Sequence, residues 1–253
     1  MSSLLTAIAA RDRAVVTIGL LIVVLLAWGY LLAGAGMGMH GVEMTRMYYS
    51  MPVHLDATMQ PMTWTTDYAV LMFSMWWIMM VAMMLPAAAP TILLAAALNR
   101  KTESTRKPFG GAIYFTLGYL SAWALFSAIA VFAQWALWES ELLTPMLRSQ
   151  SALLASAVLL TAGIWQFTPW KQTCLQHCRS PIAFLVHRRR AGNLGALAMG
   201  TEHGAYCLGC CWFLMLLLFV GGVMNLYWVV ALTAYVWAEK VLPVGPQLRR
   251  VAG

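Results

Sequence analysis

Charge is scarce in this chain: only 10% of its 253 residues are Asp, Glu, Lys or Arg, where a soluble domain carries about a quarter. That excludes an ordinary cytosolic globule, and the same composition excludes disordered and rod-like chains. Acidic residues are rarer than basic ones, 9 against 16, so the formal net charge is +7. The basic excess does not describe a nucleic-acid binder, because Lys and Arg fall between long apolar runs rather than along one polar face. No cysteine precedes Cys174. Also missing are a phosphate-binding glycine loop, a nucleotide fold, a zincin motif and a serine triad. Their absence excludes an ATP-driven pump as a single-chain function and leaves no catalytic constellation.

What is present is 61% hydrophobic, with a mean hydropathy of +0.72. It falls into six apolar stretches at about 14–35, 68–98, 112–137, 151–167, 206–223 and 226–241. Each is near or above the length that crosses a hydrocarbon core of about 30 Å, and in lipid such segments must be helices to satisfy their own backbone. The expectation is an all-α, polytopic integral membrane bundle of six transmembrane helices, one domain over 1–253. Arg11 and Arg13 ahead of the first stretch have the look of a signal peptide. The apolar run is too long for that, and Gly34-Ala35-Gly36 is a poor cleavage context, so the segment reads as a permanent helix. With the N-terminus in the cytoplasm, 14 of the 16 Lys and Arg face in and only Arg46 and Arg148 face out. This sets an N-in, C-in topology, with an outer segment at 37–67 and an inner one at 170–205. Gln134, Gln166, Asn225 and Glu239 are the polar groups near span ends, and Glu239-Lys240 reads as a snorkelling pair at the interface. Gly200 and Gly204 either let two backbones approach or mark a flexible interfacial stretch.

Sulfur carries the chemistry. The five cysteines form two groups, Cys174 with Cys178 and Cys207 with Cys210 and Cys211. The first pair shares a face if helical, and the second lies within one turn, at the mouth of the fifth stretch. On the cytoplasmic side structural disulfides are disfavoured, and Lys171 and Arg179 beside the first pair would favour thiolates, the metal-binding form. Such clusters suit Cu(I), Zn(II) or an iron–sulfur centre, with His177 and His203 as additional candidate ligands. Cysteine buried as a small hydrophobe is the bland alternative. The 18 methionines are equally uneven, 13 of them lying between Met37 and Met84. In the outer segment Met37, Met39, His40, Met44 and Met47 are followed by Met51, His54, Met59 and Met62. Thioether with occasional imidazole suits Cu(I), for which zinc is no substitute. In the second stretch Met75, Met79 and Met83 form one helical stripe and Met80 and Met84 a second beside it. Those stripes fit a route for a soft ion and fit plastic core packing equally well.

These features also carry a resemblance. The chain resembles the DUF2182 family of bacterial integral membrane proteins, described as metal-binding and in part as copper chaperones. The resemblance rests on Met79-Met80-Val-Ala-Met83-Met84-Leu-Pro86 with Pro90. It continues through Gln166, Pro169, Lys171, Cys174, Cys178, Arg179 and Pro181, then Gly204, Cys207, Gly209, Cys210, Cys211, Trp212, Met215, Gly222, Met224, Asn225, Glu239 and Lys240. It implies a multi-pass protein of the bacterial cytoplasmic membrane with a metal role, and no settled mechanism.

Together these readings point to Cu(I) collected by the outer Met/His segment, passed along the second helix and held by the inner thiolates. The role would be copper handling, transfer or metallation, in either direction. Membrane lipid and a copper-dependent membrane enzyme or copper-carrying protein would be the partners, and the unit could oligomerise. Copper is the expected metal, with zinc open at the cysteines. A thiol-disulfide oxidoreductase using the C-x-x-C at 207–210 is the alternative, and a structural subunit of a membrane enzyme complex is the third.

Overall fold

The computed structural model describes residues 2–50, 63–102, 110–145 and 147–242. Among these residues there are nine helices and no strand, only an isolated bridge between Leu143 and Ser149. In chain order they are α1 (Ser2–Leu32), α2 (Gly41–Ser50), α3 (Thr66–Thr102), α4 (Gly110–Glu139), α5 (Ala152–Phe167), α6 (Pro169–Arg179), α7 (Pro181–His187), α8 (Gly192–Gly221) and α9 (Leu226–Val241). Within them, Arg13–Leu32, Thr66–Leu98, Gly111–Glu139 and Gly192–Gly221 are long and apolar enough to cross a bilayer. The pair α5 and α6, bent by 65° at its break, makes a fifth if taken as one span. Six crossings were expected; α9, with 16 residues, is short of that length.

The break between α5 and α6 follows from Thr168-Pro169. Proline pushes the preceding residue out of the helical region, and Thr168 is extended, with ψ 144. Pro169 then opens α6 at a position where its missing N–H costs nothing. Thr168 serves both ends: its hydroxyl donates to the Trp165 carbonyl at 2.9 Å and accepts from the Lys171 N–H at 3.3 Å.

Helix α8 is longer than the fifth apolar stretch at 206–223, because it starts at Gly192, inside the segment expected to be an inner loop. The added turns carry Gly200 and Gly204, whose low hydropathy hid them. They are the contact surface with α4, which runs parallel to α8. A Cβ on Gly200 would overlap the Phe115 carbonyl, and one on Gly204 would come within 2.7 Å of Ala122 Cβ. Small residues four apart are the usual means of bringing membrane helices together, so the close-approach reading is the one the structure adopts. Gly200→Val should lower stability by about 1 to 3 kcal/mol through overpacking. Thermal unfolding in detergent checks this, and a wild-type midpoint would show that the α4–α8 spacing is not fixed there.

The segments expected outside meet at one end of the bundle. Thr45 Oγ1 accepts from the Leu226 N–H at 3.0 Å, the Tyr48 hydroxyl donates to the Val220 carbonyl at 3.4 Å, and Asn225 Nδ2 donates to the Tyr49 hydroxyl at 3.2 Å. The Ser149 N–H donates to the Phe219 carbonyl at 3.0 Å, joining the 140–150 loop to the same end.

Candidate metal centre

Cys207 sits at the middle of α8, with 15 residues of Gly192–Gly221 before it and 14 after. The sequence reading put it at the mouth of a span; the longer helix moves it to mid-length. Spacing of three and four places Cys207, Cys210 and Cys211 on one face, and all three are buried. The Cys210 and Cys211 thiols donate to the Cys207 carbonyl at 3.0 and 2.9 Å. Helix α6, redirected by the Thr168 break, delivers Cys178 to the same place, packed against the core cluster that contains Cys207 and Cys210. Cys174 packs over Gly209: a Cβ there would lie 2.8 Å from Cys174 Sγ, so only glycine leaves the thiol its room. All five cysteines are free thiols.

The centre is lined by charge that the sequence reading placed elsewhere. Glu239 and Lys240 are not a snorkelling pair; they are 5% and 7% exposed. Lys240 Nζ donates to Cys207 Sγ at 2.7 Å, while Glu239 pairs with Lys171 at 2.6 Å. Lys171 also donates to Gln166 Oε1. Arg179 closes the end of α9, with Nε and Nη2 donating to the Glu239 and Leu242 carbonyls at 2.9 and 2.6 Å. The physical reason is geometric. Because α9 has only 16 residues, its last turn lies level with the centre of α8. Lys171 and Arg179, expected to serve Cys174 and Cys178, are therefore committed to α9, and the ammonium that meets a thiol is Lys240.

Tyr119 joins the centre to α3. Its hydroxyl stands 3.0 Å from Cys207 Sγ and donates to the Met84 carbonyl at 3.1 Å. Met72, Met75, Met79, Met80, Met83 and Met84 are all fully buried, in the same core cluster as Cys207, Cys210 and Cys211. By helix rise, Met72 to Met84 covers roughly 18 Å.

The outer residues take other positions. Met44 is buried, its Cε 3.4 Å from where a Cβ on Gly34 would be, so it packs under the turn between α1 and α2. His40 is exposed at the start of α2, its N–H donating to the Glu43 carboxylate at 3.3 Å in the manner of a capping box. Met39 is exposed, and Met37 and Met47 are partly buried. Met51, His54, Met59 and Met62 lie outside the described residues. Of the two candidate histidines, His177 is half-buried and stacks on Tyr206, ring centroids 4.2 Å apart, whereas His203 is buried beside the centre.

Among the described residues, no three His, Cys, Asp or Glu side chains are already disposed to hold a metal ion. The Cys210 and Cys211 sulfurs are turned back onto their own helix, each donating to the Cys207 carbonyl. Sequence reasoning missed Tyr119, which carries no local signal, and misplaced Lys240. An ionisable pair directly after a long apolar run was the clue available for the second.

No curated protein and no solved structure matches the chain. Residues 73–253 match the PpoB2 family, whose description is copper chaperone. The match takes in all five cysteines, Lys240 and the α3 methionines from Met75 onward. The chain belongs to the PpoB2 copper chaperone family.

Proposed function

We propose that the protein carries Cu(I) within a bacterial cytoplasmic membrane, from the α3 methionines to the thiols of Cys178, Cys207, Cys210 and Cys211. From there the ion passes to a copper-dependent membrane enzyme or a copper-carrying protein. The observation that carries this reading is the Tyr119 bridge, which brings the lower end of the methionine run against the thiol cluster inside one core. Thioethers and thiolates are both soft donors suited to Cu(I), and exchange between sites of similar affinity needs no nucleotide. In the N-in, C-in arrangement the end formed by α2 and the 222–225 turn faces out. Met37, Met39, His40 and Met47 then stand at the approach, and Cys174 beside Cys178 is the last thiol on the α6 side. The same resemblance that suggested DUF2182 is consistent with this role. A thiol-disulfide oxidoreductase is disfavoured by geometry: Cys207 and Cys210 are 2% and 0% exposed, so an exchange partner has no access to either sulfur.

Copper content of protein purified anaerobically in mild detergent tests the reading. Wild type should retain Cu(I) in fixed stoichiometry, and replacement of all five cysteines should remove it. The triple variant Met79→Leu, Met83→Leu, Met84→Leu conserves volume, so it should cost less than about 1.5 kcal/mol per site. It should slow copper loading several-fold while leaving the final stoichiometry intact. Unchanged loading kinetics would make the α3 methionines packing residues only.

A further inference from the structure

We propose that His203 supplies a nitrogen ligand to the cargo ion held by the thiol cluster, so that the loaded site is mixed sulfur and nitrogen rather than sulfur alone. This deepens the copper reading and rests on it. His203 lies four residues before Cys207 on α8, one turn away on the same face. It is 3% exposed, and its Nδ1 is buried without a hydrogen-bond partner. A core histidine kept for packing normally finds a partner for each ring nitrogen, because an orphaned buried polar atom is costly. Here the ring is held instead by three aromatic neighbours: Phe115, Tyr119 and Phe184, at centroid separations of 5.9, 5.9 and 5.2 Å. Tyr119 is the same residue whose hydroxyl stands 3.0 Å from Cys207 Sγ, so the imidazole and the thiol are placed against one ring.

The chemistry of the site favours such a ligand. A neutral imidazole nitrogen binds copper without adding charge. Two thiolates around Cu(I) leave one negative charge, which the Lys240 ammonium at Cys207 matches. A third thiolate would leave a buried excess, whereas imidazole completes a three-coordinate site and preserves the balance. Metal-free protein keeps the nitrogen unpaired; binding the ion satisfies it.

X-ray absorption on full-length protein loaded with Cu(I) in detergent, with His203→Phe and His203→Cys alongside, tests the assignment. Wild type should show a nitrogen scatterer beside sulfur. His203→Phe should lose it and bind Cu(I) at least about tenfold more weakly against a competing chelator, the loss that even a supporting group causes at metal sites. Because phenylalanine removes the orphaned nitrogen and keeps a ring in the aromatic cage, metal-free His203→Phe should melt no lower than wild type. His203→Cys should bind Cu(I) with a sulfur-only shell and, because the third thiolate leaves a buried charge excess, recover only part of the affinity. Wild-type protein that binds Cu(I) with sulfur alone overturns the assignment and leaves the copper reading standing. Wild-type protein that binds no Cu(I) overturns the copper reading itself. Equal loss of metal-free stability and affinity in both variants would make His203 a packing residue.

Discussion

Lys171→Met is expected to destabilise the protein by about 3 to 5 kcal/mol, the usual result of removing one partner from a buried ion pair. The two side chains are 2% and 5% exposed and 2.6 Å apart, so neither has water to fall back on. Glu239 is the more vulnerable partner. Its Oε2 already has no hydrogen-bond partner, and without Lys171 the whole carboxylate would be stranded between α6 and α9. The double variant Lys171→Met, Glu239→Met removes both charges and should recover most of the loss, since a buried pair replaced by apolar groups is often neutral or better. Reversible denaturant titration in detergent micelles measures all three proteins. A double variant no better than the single would mean that the pair does more than cancel its own burial cost, for instance by fixing the angle at which α6 meets α8.

The second large effect concerns Cys207→Ser, which should weaken Cu(I) binding by at least about 100-fold, or roughly 2.7 kcal/mol. Cys207 is the hub of the centre. Its sulfur contacts Lys240 and Tyr119, and its carbonyl accepts from both Cys210 and Cys211. Serine keeps the carbonyl and the shape but offers a hard oxygen where the ion needs soft sulfur. Cys174→Ser should be several-fold milder, because Cys174 packs against Gly209 at the margin of the cluster. Competition with a Cu(I) chelator ranks the two. Equal losses would mean that the cysteines form one interchangeable pool rather than a centre with a hub. Lys240→Met belongs to the same series: it leaves a two-thiolate Cu(I) complex with uncompensated charge, and Lys240→Arg should restore part of the affinity.

The parts of this site that could be read from the chain are those whose relations are local. Cys207, Cys210 and Cys211 declare a shared face by spacing alone, and Met75, Met79 and Met83 do the same. The apolar runs likewise foretell a helical membrane bundle, and four of them match helices of crossing length. The relations that make the centre are long-range: Lys240 meets Cys207 across 33 residues, Lys171 meets Glu239 across 68, and Tyr119 meets Cys207 across 88. No periodicity records those meetings. Gly200 and Gly204 left two readings open for another reason, since the absence of a side chain lowers hydropathy while permitting a close backbone approach. Helix α2 was hidden inside a segment whose polarity suggested exposure, yet Met44 and Thr45 on its inner face are buried.

The unequal helix lengths have an electrical consequence. By helix rise α8 is about 45 Å long and α9 about 24 Å, so with α8 spanning the bilayer as proposed, the α9 terminus and the thiols it meets would stand near the middle of the insulating layer. On the proposed copper path, a monovalent ion resting there would have traversed about half of the transmembrane voltage. Each leg of its passage then exchanges roughly 1.2 kcal/mol with the field per 100 mV. On an energised membrane the two legs are tilted by the same amount, so polarisation that assists arrival at the thiols assists departure from them equally, and collapsing the voltage should slow both halves of the journey together.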